Sequence, residues 1–541
     1  MLRGTICNCL SQNLRNILSA ATSAPFLLPK FIAPRESTAM TPIAKLNELR
    51  NHGGAARTTG IDDATIERFA ANDPALVAAI DEAHAMYLHL RLEMPALLNL
   101  DEAAQLRRIQ ADYINFYPDD AINPYVALAA RGPWMVTLKG AVVHDVGGYG
   151  MLGLGHAPQA VVEALAGHQV MANVMTPNLS QLRFADMLKA EVGQTRGGSP
   201  YTKFLCLNSG SEAVTLACRL ADVNAKLMTD PGARYAGRTI KRLAVKGAFH
   251  GRTERPALYS DSSRKAYVQN LASFRDEHSL LTVEPYNVDQ LRQAFADAEK
   301  NGWFIEAMFL EPVMGEGDPG RAVTPEFYAV ARELTRAHGS LFLVDSIQSG
   351  LRAQGVLSIV DYPGFEKLEA PDMETYSKAL SAGQYPFSVL AVTAKTAALY
   401  KKGIYGNTMT TNPRALDAAC AVLREITPAL RANIRQRGAE FVQKLQQLQS
   451  ELPQLITKVQ GTGLLFSCEL APQFKCFGAD STEEWMREKG IAVIHGGVNS
   501  LRFTPHFAVT AEEADLIVDG VRQALLHGPR QIDETATAEA A

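Results

Sequence analysis

Phe304-Ile305-Glu306-Ala307-Met308-Phe309-Leu310, then Thr324 to His338, then Leu341-Phe342-Leu343-Val344-Asp345 is the stretch that decides the fold. Two short, almost wholly apolar runs bracket a longer amphipathic one, which is the pattern of a buried strand, a helix and the next parallel strand. The punctuation agrees. Thr324 can accept a hydrogen bond from an orphan amide at the helix start, Pro325 suits the first helical position, and Gly339 can take the left-handed conformation that ends the helix. Short apolar runs alternating with amphipathic stretches begin after Pro133, so the middle of the chain is expected to be a βαβ series with a largely parallel sheet.

Outward from this unit the texture changes. From Ile61 to about Tyr117 Ala, Leu and charged residues interleave in a helical pattern without repeat or chemical motif, and from about Ala415 helices return with a few strands. At 541 residues the chain exceeds what one core usually organises. The expected division is a helical amino-terminal extension at 40–132, a large domain at 133–414, a smaller carboxy-terminal domain at 415–530 and a disordered polar tail at 531–541. Residues 1–39 carry Arg3, Arg15, Lys30 and Arg35 with no acid before Glu36, and Leu10, Leu14, Ile17 and Leu18 share a helical face. Two readings stand side by side: a transit peptide, which would send the protein to the mitochondrial matrix, or an extension upstream of a true start at Met40, which would leave it cytoplasmic.

Composition excludes several classes. Hydrophobic residues make up 47% and charged residues 20%, with no unbroken apolar run of membrane-helix length, so no membrane role is expected. A net charge of -4 provides no basic excess for a nucleic-acid backbone. Small molecules are the expected partners. Seven scattered cysteines argue against a disulfide framework, and no second pair with zinc-ligand spacing follows Cys7 and Cys9, so no metal is expected.

Four segments carry chemistry. Phe204 to Leu207 is an apolar run entering Asn208-Ser209-Gly210-Ser211-Glu212-Ala213, a turn whose unpaired amides, helix dipole and hydroxyls suit a phosphate, although such turns more often only cap a helix. Leu243-Ala244-Val245 delivers Phe249, His250 and Arg252 together. Phe249 can stack on a flat ring or be an ordinary core aromatic; Arg252 can grip a carboxylate in a bidentate manner or be a solvated charge. Asp345 sits at the carboxyl end of a buried strand, the edge where open α/β sheets bind ligands, but Asp also caps turns there. Lys378 ends the short strand beginning at Met373; solvated it does nothing, and desolvated it can lose its proton and attack an aldehyde.

In this order, these segments resemble the class III (ω-amino acid) aminotransferases of the type I pyridoxal-phosphate fold. The resemblance runs from about Pro133 to Leu525. It is carried by Gly155-His156, Asn208 to Ala213, Phe249-His250-Gly251-Arg252-Thr253, Glu311-Pro312-Val313-Met314-Gly315-Glu316-Gly317, Asp345 to Gly350, Ser377-Lys378-Ala379-Leu380, Thr408 with Asn412-Pro413, and Arg502. It implies a large domain with a mostly parallel sheet flanked by helices, a smaller α+β domain, and pyridoxal 5'-phosphate as cofactor. Lys378 is then the Schiff-base lysine, Asp345 the partner of the pyridine nitrogen and Gln348 that of the ring hydroxyl. Ser209, Gly210 and Ser211 form the phosphate cup, Phe249 and Ile347 sandwich the ring, and His250 and Glu311 complete the cofactor site. Thr408 reaches the phosphate of the neighbouring subunit, which implies a homodimer.

The resemblance also frames the substrates, an amine donor and a keto-acid acceptor. Arg502 is similar to a residue that binds the α-carboxylate of glutamate or 2-oxoglutarate, Glu316 to one that can pair with that arginine and switch it off, and Arg252 to one that grips a far carboxylate. A transaminase moving an amino group from an ornithine, lysine or 4-aminobutyrate type of donor to 2-oxoglutarate is expected. An aminomutase or decarboxylase of the same fold is the alternative, and an inactive assembly or regulatory homologue the third. Four features depart from the family pattern: Ser346 where Glu is usual, Tyr405 where His is usual, Thr410 and Thr411 where glycines are usual, and Met175-Thr176-Pro177-Asn178 where a gate aromatic is usual.

Overall fold

The helix Pro325–His338 begins and ends as its punctuation requires: the Thr324 hydroxyl accepts from the Phe327 amide, Pro325 holds the first turn, and Gly339 has φ of 82°. The computed structural model describes residues 40–275 and 278–531. The possible leader at 1–39 and the polar tail, apart from Gln531, lie outside the described residues. Everything discussed below belongs to one compact unit starting at Pro42.

Three sheets organise that unit. The strands β1 (Ala127–Arg131), β2 (Trp134–Thr137) and β3 (Val142–Asp145) form an antiparallel meander. Helices Pro42–Arg50, Asp63–Ala70 and Pro74–Glu93 cover it, burying Leu46, Ile66, Leu76 and Ile80 against Trp134 and Val136. The central sheet contains β4 (Lys203–Leu207), β5 (Thr239–Val245), β6 (Leu280–Val283), β7 (Trp303–Leu310), β8 (Leu341–Asp345), β9 (Met373–Tyr376) and β10 (Ser388–Val392). Their spatial order is β4-β10-β9-β8-β7-β5-β6, and only β10 runs against its neighbours. The expectation of a mostly parallel sheet flanked by helices holds.

The apolar runs of β7 and β8 are what place this sheet inside. Every residue of β8 is buried, and β7 is buried beyond Trp303. Glu306 is the exception in kind: its carboxylate is buried but meets Arg242 at 3.0 Å and the Tyr259 hydroxyl at 2.9 Å, as a charge in such a core must.

Beyond Pro413, helices Pro413–Glu425, Pro428–Glu451 and Ala511–His527 accompany a four-stranded antiparallel sheet of β11 (Ile456–Thr462), β12 (Leu465–Leu470), β14 (Ile494–Gly496) and β15 (Ser500–Phe503). Between them, the two-residue β13 (Ile491–Ala492) leaves that sheet and adds to β3 in parallel. Among the described residues no helix is long and apolar enough to cross a membrane.

Candidate active site

The parallel strands end on the same side, and their exits deliver the site. Asp345 is the last residue of β8, Glu311 follows β7 directly, Phe249 and His250 lie in the turn after β5, and Lys378 comes two residues after β9. A cavity of about 410 Å³ opens there, of a size suited to a small cofactor. Its lining includes Ser209, Gly210, Ser211, Phe249, His250, Glu311, Glu316, Asp345, Ile347, Gln348 and Lys378.

The backbone at Lys378 departs from the expected strand end. The strand stops at Tyr376, and Lys378 has φ of 47° and starts a short 3-10 turn, Lys378–Ser381. That left-handed conformation is costly for a residue with a Cβ and persists only where its surroundings enforce it. Here Ser377 is anchored by its hydroxyl donating to Phe387 O at 2.6 Å, and the turn closes through the Leu380 and Ala382 amides. Burial is the first reason that the Lys378 amine is pushed down from 10.5 to about 8; Arg502 adds to this, while Glu316, Asp345 and Glu311 oppose it. With the Gln348 amide assigned so that its nitrogen donates to Gly315 O at 3.2 Å, its oxygen accepts from Lys378 Nζ at 2.9 Å.

An amine with this depressed pKa makes a prediction. In the cofactor-free protein the unfolded chain binds a proton at Lys378 that the folded chain lacks between about pH 8 and 10.5, so stability rises with pH across that window. For the same reason, the rate of cofactor uptake should climb with pH and level off near 8. Stopped-flow absorbance against pH checks this, and a rate still climbing towards 10.5 would mean a solvated amine.

Asp345 is held from two sides. Its Oδ2 lies 2.9 Å from His250 Nδ1, and its Oδ1 accepts from the Thr375 hydroxyl at 2.9 Å and the Ile347 amide at 3.2 Å. Glu311 also lines the cavity. Its oxygens accept from the Phe249 and Gly315 amides, both at 2.9 Å, so it ties two lining loops together. Burial first, moderated by His250 and those amides, pushes its carboxyl up to about 7.

The turn expected to hold a phosphate lies at one helix start. Ser209 caps the helix Gly210–Thr229 by accepting from the Glu212 amide, and Gly210 and Ser211 open its first turn, where amides have no helical partner. Gly210 lets Ile347 pack close: a Cβ there would stand 2.8 Å from Ile347 Cδ1 and the isoleucine side chain would have to shift. Glu212, just behind, accepts from the Asn208 amide at 2.8 Å, Asn407 Nδ2 at 2.6 Å and the Tyr405 hydroxyl. Burial alone would raise this carboxyl, but the Tyr405 and Asn208 bonds outweigh it and hold it below the ordinary range. Tyr405, one of the departures from the family pattern, thus clamps the loop that carries Thr408 onto the turn before the helix Gly210–Thr229.

Arg502, on β15, is buried and meets Glu316 at 2.9 Å, Gly315 O at 2.6 Å and, through its guanidinium, the Tyr149 ring at 5.4 Å. Burial would raise the Glu316 carboxyl; Arg502 and Lys378 overcome this and hold it low. Three expected residues do not line the cavity within one chain: Arg502 stands behind Glu316, and Arg252 and Thr408 face outward. Arg252 is exposed, its guanidinium 5.3 Å from the Phe249 ring and 5.8 Å from that of Phe116, and Thr408 is exposed on its loop. The segment at Met175 is likewise exposed, and Asn178 caps the helix Leu179–Glu191.

Pyridoxal phosphate, the cofactor implied by the resemblance, fits this donor set. Free amides at a helix start suit its phosphate, a buried carboxylate its ring nitrogen, and a desolvated lysine amine its aldehyde. Comparison with known proteins agrees. A model of the family described as aminotransferase class-III matches residues 117–525. Acetylornithine aminotransferase from Mycobacterium leprae (strain TN) is 30% identical over 391 residues, covering 70% of this chain and 87% of that protein. The fold is similar to ornithine aminotransferase from Toxoplasma gondii ME49, with a TM-score of 0.66 at 23% identity over 84% of this chain and 99% of the other. It is also similar to acetylornithine aminotransferase from Elizabethkingia anophelis, with a TM-score of 0.61 at 22% identity over 79% of this chain and 99% of the other.

Proposed function

The chain belongs to the class-III aminotransferases, and from that premise we propose that this pyridoxal-phosphate transaminase passes an amino group from an ω-amino acid or primary amine of the ornithine, lysine or 4-aminobutyrate type to 2-oxoglutarate. The observation that carries the substrate reading is the Glu316–Arg502 pair, 2.9 Å apart and beside Lys378. With the pair closed, the arginine is neutralised and an ω-amine donor with no nearby carboxylate can enter; with the pair open, a guanidinium is free for the α-carboxylate of the acceptor.

Bound pyridoxal phosphate supplies a carbonyl for amine exchange and a ring that accepts electrons from the donor carbon. The chain supplies the rest. In this reading Gly210 and Ser211 amides would hold the phosphate, Phe249 and Ile347 would flank the ring, and Asp345 would keep the ring nitrogen charged. Lys378 Nζ would hold the cofactor and, as a free amine, would serve as the base and acid that moves the donor's proton. Gln348 orients the ring hydroxyl. We place Thr408 at the phosphate of a second copy, in a homodimer, because it stands outside its own chain's cavity on a loop clamped to the phosphate turn.

The two half-reactions test this separately. Mixing the loaded enzyme with a panel of amines, then the aminated form with a panel of keto acids, should show 2-oxoglutarate among the best acceptors. Arg502→Leu should raise KM for 2-oxoglutarate by about 10–100-fold, the value of a charge-assisted pair, and change the donor half-reaction little. An acceptor profile unaffected by that substitution would remove Arg502 from the acceptor site.

A further inference from the structure

We propose that His144, His506 and Glu513 form a binding site for a divalent metal ion of the zinc class, separate from the cavity that Lys378 lines. His144 lies on β3, His506 in the loop after β15, and Glu513 in the first turn of the helix Ala511–His527. Both imidazoles turn the same atom to the same oxygen: His144 Nε2 stands 3.0 Å and His506 Nε2 2.9 Å from Glu513 Oε1. The three ligand atoms lie within 4.8 Å of one another. Around a tetrahedral ion with bonds of about 2.0–2.1 Å, neighbouring ligand atoms stand roughly 3.4 Å apart, so small shifts accommodate one.

The surroundings are those of a site rather than a chance meeting. Glu513 Oε2 accepts from the Thr510 amide at 2.7 Å in a capping box, which fixes the carboxylate and leaves Oε1 to the histidines. His144 is wholly buried, and its Nδ1 has no hydrogen-bond partner. With no acceptor at Nδ1 and the Glu513 carboxylate at Nε2, the imidazole proton lies on Nε2 and donates to Glu513, and a cation would bind there by displacing it. A second cavity, of about 350 Å³, is lined by His506, Thr510 and Glu513, which gives an ion an entry path and room for a fourth ligand such as water. Two imidazoles and one carboxylate select a borderline cation over calcium or magnesium. The ligands come from segments 369 positions apart, so the bound ion would pin the amino-terminal meander to the last helix.

The test uses the cofactor-loaded full chain, stripped with a chelator, reloaded with Zn²⁺, desalted and assayed for metal by mass spectrometry. Wild type should retain about one equivalent per chain and melt at a higher temperature with Zn²⁺ than without. His506→Ala, at the cavity edge, should lose the metal and the melting shift, while His506→Cys, which restores a ligand, should regain both. Loading with Co²⁺ should give tetrahedral bands in wild type and His506→Cys only. Equal zinc retention in wild type and His506→Ala, or no retention in wild type, overturns the site. Should His506→Ala fail to fold, Glu513→Gln is read by the same criteria, against the same wild type.

Discussion

Lys378→Ala should lose turnover by at least about 10³-fold and release its cofactor on gel filtration, while the wild type keeps it. Two proposed roles would vanish with one amine, the covalent hold and the proton transfer. The folded state should not suffer. Alanine meets the same left-handed backbone, φ of 47°, that lysine already tolerates, so no new strain arises. The variant also removes an amine whose burial is unfavourable enough to push it down to about 8, so the cofactor-free variant should melt no lower than the cofactor-free wild type. Retention of a tenth of the activity, with cofactor still bound after desalting, would move the chemistry to another residue.

Why Lys378 was readable only by company is a matter of local signal. A strand end carries apolar residues and a terminator, and β8 was legible to the residue because it has both. The turn at Lys378 has neither a glycine nor a proline at its left-handed position; its conformation is imposed by Ser377 anchoring on Phe387 O and by the turn that follows. Helix punctuation at Thr324 and Gly339 is local and was visible; contacts between distant segments were not. Ser346 illustrates the difference. Read along the chain, it is a missing carboxylate beside Asp345. In the sheet, Val344 pairs with Glu374, and the Glu374 carboxylate, on the face opposite Asp345, accepts from the Ser346 hydroxyl, the Tyr201 hydroxyl at 2.7 Å and the Ile359 amide at 2.9 Å. The carboxylate has arrived from the next strand, a fact that register alone reveals.

The same reasoning separates residues that one chain can assemble from those it cannot. Strand exits converge whatever else happens, so Asp345, Glu311, His250 and Lys378 were brought to one cavity. Arg252 and Thr408 lie on the exposed side of their loops, and a sequence motif carries no information about which surface then covers them. The Tyr405–Glu212 clamp joins positions 193 apart and was hidden for the reason that hid Glu374.

Asp345→Asn should lower kcat by about 10²–10³-fold, the cost of removing one preorganised electrostatic partner, with cofactor still bound through Lys378. The shape is nearly unchanged, and the Thr375 hydroxyl and Ile347 amide still find an oxygen, so melting temperature should move little. What disappears is a negative charge, held in a buried position and 2.9 Å from His250 Nδ1, that would stabilise a positive ring nitrogen. A neutral amide cannot hold that proton, and the driving force for breaking the donor's carbon–hydrogen bond falls with it. The charge can be returned without the carboxylate. Reconstituting Asp345→Asn with a cofactor methylated at the ring nitrogen, which is positive at any pH, should recover at least a tenfold part of the lost rate, while the same analogue in wild type should give no gain. Recovery locates the role of Asp345 in charge. If the analogue restores nothing in a variant that binds it fully, Asp345 acts by fixing His250 and the Ile347 backbone, and the electrostatic account of the site is wrong.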